Sequence, residues 1–330
     1  TTLAALNRPL GTDQADTVRR VCTQGLGVEV VVGRAGSGKT YTMRTVREIY
    51  QAAGRRLVGV CPTARAARER ADGAGIESLT LPRFNMHAHL DANTSVVVDE
   101  AAMCATVDLH QIVTRAHATG AKVILVGDHH QLPEIGAGGG FRAALDALGN
   151  RACELTINRR QHHQWEHFAL NHLRSGDVAA FWNTYTEHDR VVLADTATDI
   201  RNRAVADRWD SHTAGGSAYL LAGTRTEAKL LNTLARRHAS EAGHLTGATL
   251  DLRGRPLQVG DRIVLLRNMG GQLDVDTGAR CRVDNGMIAT ITQSYSKTPY
   301  FKDYFPGLES ALSTPFERLL DLNLATFRWL

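Results

Sequence analysis

Aromatic residues are scarce in this sequence, at 6% of 330 positions, so platforms on which nucleic-acid bases could stack are few. No apolar run approaches the roughly 18 residues that a membrane-spanning helix needs, and no signal-peptide core follows the N-terminus. The five cysteines (Cys22, Cys61, Cys104, Cys153, Cys281) stand far apart without a C-x-x-C pair. Their odd number in a chain this large points to reduced thiols in a cytosolic protein. Charge of one sign is also missing. The 38 Lys and Arg against 34 Asp and Glu leave a net charge of +4, too small a surplus to argue for a nucleic-acid partner without motifs. There is no internal repeat and no low-complexity block. The 43% hydrophobic and 22% charged residues exclude a disordered chain, a collagen-like repeat and a disulfide-stapled miniprotein. The length allows two domains with a sizeable core. The first residue is Thr1 rather than Met, so the chain is expected to be a piece of a longer protein or a processed product.

Four short runs rich in β-branched residues punctuate the first half: Val28–Val32, Leu57–Val60, Ser95–Val98 and Lys122–Val126. They are continuous rather than alternating, as in parallel strands buried on both faces. Helical patterns lie between them. Met43, Val46, Ile49 and Tyr50 share one face before a stop at Gly54. Leu109, Ile112, Val113 and Ala116 do the same, with Thr106 as the expected N-cap and Gly120 as the stop. Strand–helix alternation of this kind predicts an α/β fold with a parallel sheet covered by helices. A boundary is expected near Ser175-Gly176-Asp177. Beyond it, Ser217–Leu221 reads as a strand and Glu227–Glu241 as a helix. Arg262–Leu266 and Met287–Thr292 then read as strands of a small β unit, with a turn signal at Asp284-Asn285-Gly286.

Gly33-Arg34-Ala35-Gly36-Ser37-Gly38-Lys39-Thr40 fits G-x-x-x-x-G-K-[ST], placed just after a buried strand and at the start of an amphipathic helix. Glycines there let backbone N–H groups from Gly33, Ala35, Gly36, Ser37 and Gly38 wrap phosphate oxygens at a helix N-terminus. Lys39 is expected on the β- and γ-phosphates of ATP, and the Thr40 hydroxyl on Mg²⁺. Val96-Val97-Val98-Asp99-Glu100 ends a buried strand in two carboxylates. Asp99 is the expected second Mg²⁺ ligand and Glu100 the base that orients water. After a further strand comes Gly127-Asp128-His129-His130-Gln131-Leu132-Pro133, where Gln131 is placed to sense a γ-phosphate.

This set, in this order, resembles the superfamily 1 DNA helicases, in particular the RecD-like branch and the helicase part of conjugative relaxases of the TraA/TrwC/TraI type. Further stretches match the same pattern. Leu6-Asn7…Thr12-Asp13-Gln14 looks like the family's Q motif, in which Gln14 would read the adenine. Cys61-Pro62-Thr63-Ala64-Arg65-Ala66-Ala67 resembles the loop that lays Pro62, Thr63 and Arg65 against single-stranded DNA, and Thr80-Leu81 with Phe84 resembles the next DNA-facing loop. Leu155–Gln161, followed by Trp165-Glu166 and Leu173-Arg174-Ser175-Gly176-Asp177, is similar to the fourth motif and its sequel. There an arginine approaches the γ-phosphate, and Arg160 fits better than Arg159. Thr224-Arg225 and Leu231-Asn232 look like the start of a second RecA-like domain, with Thr224 near DNA.

The resemblance implies a P-loop NTPase. A RecA-like ATP-binding domain is expected over 1–177 and a partial second RecA-like domain over 178–250. A small β-barrel insertion follows over 251–295, and the tail at 296–330 stays unassigned. It implies an ATP-dependent helicase or translocase on single-stranded DNA, running 5′ to 3′, with ATP and Mg²⁺ as cofactors. Such a protein is a bacterial cytoplasmic monomer, with other conjugation or DNA-processing proteins as further partners. A conjugative motor, a RecD-like repair helicase and a DNA-binding ATPase without unwinding activity all stay open. The family's final motifs, including a second γ-phosphate arginine, have no counterpart between Gln293 and Leu330, which predicts weak hydrolysis by this chain. Arg65, Arg68 and Arg70 are either a solvated basic face or phosphate contacts. Trp165 either packs at a domain edge or stacks on a base. His129-His130 and His162-His163 lack the third ligand that would complete a zinc pattern.

Overall fold

Four of the six strands that build the first part of the chain carry a run of apolar side chains, and the sheet they form is buried from both sides. The computed structural model describes residues 9–131, 134, 136–216, 218–251, 256–264, 269–273, 280–283 and 288–290. It divides into two compact units, Thr1–Arg190 and Val191–Leu330.

In the first unit the elements run α1 (Thr12–Thr23), β1 (Val28–Gly33), α2 (Lys39–Ala52), β2 (Arg56–Cys61), α3 (Ala64–Ala74), β3 (Glu77–Thr80), α4 (Leu81–His87) and β4 (Thr94–Val98). There follow α5 (Thr106–Thr119), β5 (Lys122–Gly127), α6 (Gly140–Leu148), β6 (Cys153–Leu155), α7 (Gln164–Arg174) and α8 (Val178–Glu187). All six strands are parallel, in the order β3-β2-β4-β5-β1-β6. The expected strands agree with β1, β2, β4 and β5 to within a residue at each end. The two edge strands, β3 and β6, had no apolar signature because they are short and half-covered or only three residues long.

Alternation along each strand sends side chains to two separate cores. Val30, Val32, Val58, Val60, Val96, Val98, Val123 and Leu125 pack on one face with Phe84 of α4, Leu109 and Ile112 of α5 and Phe141 of α6. Val31, Leu57, Val97, Ile124 and Val126 pack on the other with Val18 and Val21 of α1 and Met43, Val46 and Tyr50 of α2. At about 1.5–3 kcal/mol per fully buried aliphatic side chain, this two-sided burial is what holds the sheet. One charge interrupts it. Glu29, fully buried in β1, accepts from Lys122 Nζ at 3.1 Å, and the same ammonium donates to Val21 O at 2.6 Å.

Helix α2 stops at Ala52 and the chain turns at Gly54, whose φ is +71°. Helix α5 stops at Gly120 (φ +72°), as expected. Thr106, however, is the first helical residue rather than the cap: Ala105 takes the cap position, and Thr106 Oγ1 donates to Gly138 O at 2.9 Å. Trp165 is packed. His188 stacks on it at 4.0 Å between ring centroids, and Tyr185 meets it edge-on at 5.3 Å.

In the second unit, α9 (Ala197–Thr213) and α10 (Arg225–Glu241) are each capped by a threonine hydroxyl, Thr196 and Thr224. They are joined by a two-pronged Arg201–Glu227 pair at 2.6 and 2.9 Å. The strand expected at Ser217–Leu221 does not form over the described 218–221, where no strand stands beside it and Leu221 is 94% exposed. Three antiparallel pairs follow: β7 (Thr246–Asp251) with β8 (Pro256–Val259), β9 (Arg262–Val264) with β12 (Ile288–Thr290), and β10 (Met269–Leu273) with β11 (Arg280–Val283). Arg236 of α10 grips Asp261 through Nε at 3.1 and 3.2 Å, fastening this region to the helix. The turn at 284–286 and the tail at 296–330 lie outside the described residues, as do Leu6-Asn7, Leu132-Pro133 and the side chain of Arg65. No described helix is long and apolar enough to cross a membrane.

Phe84, expected to face DNA, is instead fully buried, with the Arg115 guanidinium 5.1 Å from its ring centroid. An aromatic ring costs least where it fills the core, and this corrects the expectation. Phe84→Ala is expected to lower the unfolding free energy of the first unit by about 3–5 kcal/mol in a urea titration. A loss of DNA binding at unchanged stability would restore the surface role.

Candidate active site

Strands β4, β5 and β1 are neighbours, so the three sequence motifs that follow them come out side by side at the carboxyl edge of the sheet. The chain leaves β1 toward β2, across β5 and β4, and leaves β5 toward β6 on the other side of β1. Connections diverge beside β1, and open α/β sheets bind ligands at such a point.

The loop 33–38 turns between β1 and α2 through two left-handed residues, Gly36 (φ +79°) and Gly38 (φ +83°). A Cβ on Gly36 would stand 2.6 Å from Asn158 Oδ1, and one on Gly38 2.6 Å from Gln14 Nε2, so only glycine fits at either place. No side chain caps α2, which leaves its first-turn N–H groups for a ligand. The Ser37 hydroxyl is buried without a hydrogen-bond partner. Lys39 Nζ lies back over the loop, 3.1 Å from Gly33 O, and 3.5 Å from Glu100 Oε1. A glycine turn at an uncapped helix start beside an ammonium fits a polyphosphate.

The loop is held from outside by α1 and by the segment after β6. Gln14 is buried, accepts from Gly11 N–H at 3.1 Å and reaches Ser37 O with Nε2 at 3.4 Å. Its amide is therefore engaged at both ends. Arg159 donates to Ser37 O at 2.9 Å and pairs with Asp13, whose carboxylate also takes the N–H groups of Thr156 and Ile157 at 3.1 and 3.0 Å. Burial pushes the Asp13 carboxyl up, but Arg159 and those N–H groups outweigh it and hold it below its ordinary range. Arg160 is different. It is exposed, its guanidinium pairs with nothing among the described residues, and its Cβ stands 2.8 Å from where a Gly36 Cβ would be. Of the two neighbours, Arg159 is committed to the loop's support and Arg160 is free beside it.

Asp99 and Glu100 follow β4, and Asp99 N–H donates to Val60 O at 2.9 Å. Glu100 adopts φ 49°, ψ 42°, a left-handed conformation that costs a non-glycine residue about 1–3 kcal/mol. Its carbonyl accepts from Met103 N–H at 2.8 Å, and the turn brings its carboxylate to Lys39. The Thr40 hydroxyl is exposed and unpaired among the described residues. Asp99 is not free: Arg70 of α3, 3% exposed, donates from Nε to Asp99 Oδ2 at 2.7 Å and pairs through Nη2 with Oδ1. Arg70 thus belongs neither to a solvated basic face nor to a phosphate contact.

Beyond β5, Asp128 is fully buried and receives a two-pronged grip from Arg174 of α7 at 3.1 and 3.2 Å. It also accepts from His130 N–H at 3.1 Å and from Gln131 Nε2 at 3.4 Å. Burial raises the Asp128 carboxyl, yet Arg174 and the other donors together hold it below its ordinary value. Gln131 is thereby oriented with its amide oxygen unused among the described residues. The four described cysteines are free, and burial pushes their thiols up to about 11 or 12, so they pack rather than react.

Of the residues expected at DNA, Pro62 and Thr63 are exposed between β2 and α3, where Thr63 Oγ1 caps the helix by accepting from Ala66 N–H at 3.1 Å. Thr80 is half-buried before α4, and Thr224 caps α10. Asp13, Arg70, Asp128 and Arg174 escaped sequence reasoning as functional supports. Each acts on a partner 29 to 146 positions away, and no local spacing announces that. Among the described residues no group of three or more His, Cys, Asp or Glu gathers as a metal cluster.

The family model described as an AAA domain matches residues 9–196. A second model, of a WbqC-like protein family, matches residues 273–330. The probable conjugal transfer protein TraA of Sinorhizobium fredii is 35% identical over 266 residues, which are 78% of this chain and 24% of that protein. The chain therefore spans about a quarter of the length of that relative. The ATP-dependent RecD2 DNA helicase of Deinococcus radiodurans is 31% identical over 139 residues, 39% of this chain and 19% of that protein. Among solved structures, the Pif1 helicase from Candida albicans superposes with a TM-score of 0.48 at 17% identity, covering 92% of this chain and 73% of that one.

The Asp128–Arg174 pair has a pH signature. A carboxyl held below its ordinary 3.8 stabilises the fold fully above that value and loses the contribution as pH falls through its lower folded value. Urea midpoints measured from pH 7 down to pH 3 are expected to drop at the acid end. Arg174→Met should flatten that acid arm and destabilise the first unit by about 3 kcal/mol at neutral pH, because a buried carboxylate is left without its partner.

Proposed function

Because the chain belongs to the AAA-domain family, we propose that it is a Mg²⁺-dependent ATPase moving on single-stranded DNA, the motor part of a conjugal DNA-transfer protein. The observation that carries this reading is the meeting of Lys39 and Glu100, 3.5 Å apart, beside a glycine turn that opens a helix with no side-chain cap. In this reading the ion pair opens when nucleotide binds, the ammonium turning to the γ-phosphate and the carboxylate to the attacking water.

In this reading the N–H groups of the loop 33–38 and Lys39 bind the phosphates, and Gln14 keeps the loop in shape while lying on the adenine side. Thr40 and Asp99 are the residues that would hold Mg²⁺, which supplies charge neutralisation on the phosphates when bound. Glu100 accepts a hydrogen bond from water and takes its proton. Arg160 reaches the γ-phosphate as its charge develops. Gln131, held by Asp128, changes partner when the γ-phosphate leaves, and α7 receives that change through Arg174. Pro62, Thr63, Arg65 and Thr80 of the first unit lie against the DNA strand, and Thr224 is a DNA contact of the second unit taken by itself. The relatives, a conjugal transfer protein and an ATP-dependent DNA helicase, support this substrate class. The 5′ to 3′ direction, a bacterial cytoplasmic monomer and the partnership with other conjugation proteins belong to the same proposal. So does the division into an ATP-binding domain over 1–177, the start of a second RecA-like domain over 178–250 and a barrel over 251–295. A repair helicase of the RecD-like kind differs only in the DNA it serves.

One observation favours a second reading, a DNA-dependent ATPase that does not unwind. The helicase pattern lapses after Gln293, inside the stretch matched by the WbqC-like family. Strand displacement of a tailed duplex separates the two.

The test is ATPase activity of the whole chain with and without oligothymidylate. Stimulation is expected, and none in the wild type would overturn the proposal. Lys39→Ala should abolish nucleotide binding. Glu100→Gln should keep it while kcat falls at least about 100-fold. Arg160→Ala should lower kcat by about 1,000-fold at unchanged nucleotide affinity.

A further inference from the structure

Arg70 has no part in the chemistry described above, yet it occupies the carboxylate that the chemistry needs. Its Nε and Nη2 meet the two oxygens of Asp99, and a guanidinium at that depth cannot shed its charge. Mg²⁺ draws on anionic oxygen. An Asp99 already neutralised on both oxygens offers it little, and a fixed positive charge beside the site repels it. The pairing is also a poor stabiliser. Arg70 Nη1 is buried without a partner among the described residues, and an ion pair at that depth seldom repays its desolvation. Its position along α3 is what gives it a use. Helix α3 begins at the Thr63 cap, directly after the exposed Pro62-Thr63 loop, and Arg70 lies two turns further on, about 10 Å along the axis. The same helix lies against Thr40: a Cβ on Gly73 would stand 3.0 Å from Thr40 Cγ2. One rigid element therefore touches the DNA-facing loop at its start and both expected Mg²⁺ ligands along its length.

We propose that Arg70 is a positioning residue that withholds Asp99 from Mg²⁺ and releases it when single-stranded DNA engages the Pro62-Thr63 end of α3. This rests on the assignment of that loop to DNA and of Asp99 to Mg²⁺. Coupling of this kind is reciprocal: DNA tightens Mg²⁺-nucleotide binding by the factor by which Mg²⁺-nucleotide tightens DNA.

The experiment titrates Mg²⁺ into the whole chain holding a fluorescent, slowly hydrolysed ATP analogue, with and without oligothymidylate. In the wild type, DNA is expected to lower the half-saturating Mg²⁺ concentration by about tenfold, within the usual range of coupling between sites. Arg70→Met should bind at the low Mg²⁺ concentration with or without DNA. Arg70→Lys, which keeps the charge but not the fork and so guards against a folding defect in the methionine variant, should fall between. Circular dichroism confirms that each variant is folded. An Arg70→Met protein that needs more Mg²⁺ than wild type, or that keeps the full DNA effect, overturns the inference while leaving the ATPase reading intact. A wild type that binds no nucleotide overturns both.

Discussion

The loop between β1 and α2 leaves that helix without a side-chain cap while Ser37 N–H turns back to Arg34 O at 3.1 Å, and most of the first unit is arranged around that shape. Free donors in a folded chain are costly unless a ligand or water takes them, so the loop's shape has to be imposed from outside. Two left-handed glycines make the turn possible, and Gln14 and Arg159 hold it by taking the Ser37 carbonyl. Their own anchors lie far away in the chain, since Asp13 joins the start of α1 to the segment after β6. Beneath, the valines of β1, β4 and β5 fill both faces of the sheet and fix the height at which the three loops emerge.

Two carboxylates, Asp128 buried and Asp99 half-buried, follow adjacent strands, and each is met by an arginine from a distant helix. Asp128 with Arg174 is a satisfied pair: both guanidinium prongs are used, and a backbone N–H and the Gln131 amide complete the carboxylate. Such a pair orients its neighbours. Asp99 with Arg70 leaves Arg70 Nη1 without a partner among the described residues, at a place where the proposed Mg²⁺ would draw on the same oxygens. The small net charge of +4 is consistent with function carried by placed charges rather than by a basic face.

Much of this was readable in advance because its signals are local. A continuous valine run predicts a strand buried on two faces, and the four strands that carry such runs stand where expected. The phosphate motif, the strand-end carboxylates and Gln131 were legible for a similar reason: each is a short pattern tied to the end of a strand. The failures share a cause as well. Strand β6 has three residues and is held by pairing with β1, which no local pattern encodes. The apolar run at 218–221 is as strand-like as some that form, but it lacks a neighbour. Phe84 follows a DNA-loop pattern and yet fills the core, because burial depends on what α5 brings across the top of it, Arg115 included.

By itself, then, the sequence determined which segments would be buried strands, where glycine must turn the chain after β1, and which side chains stand at strand ends. These depend on properties of neighbouring residues. Only the tertiary structure decided that β4, β5 and β1 lie side by side, that Arg159 is occupied while Arg160 is free, and that Asp99 is gripped by Arg70. The physical reason is that strand order and ion pairing are settled by packing between segments distant in the chain, where the winning contact is selected by burial and geometry and leaves no trace in local spacing.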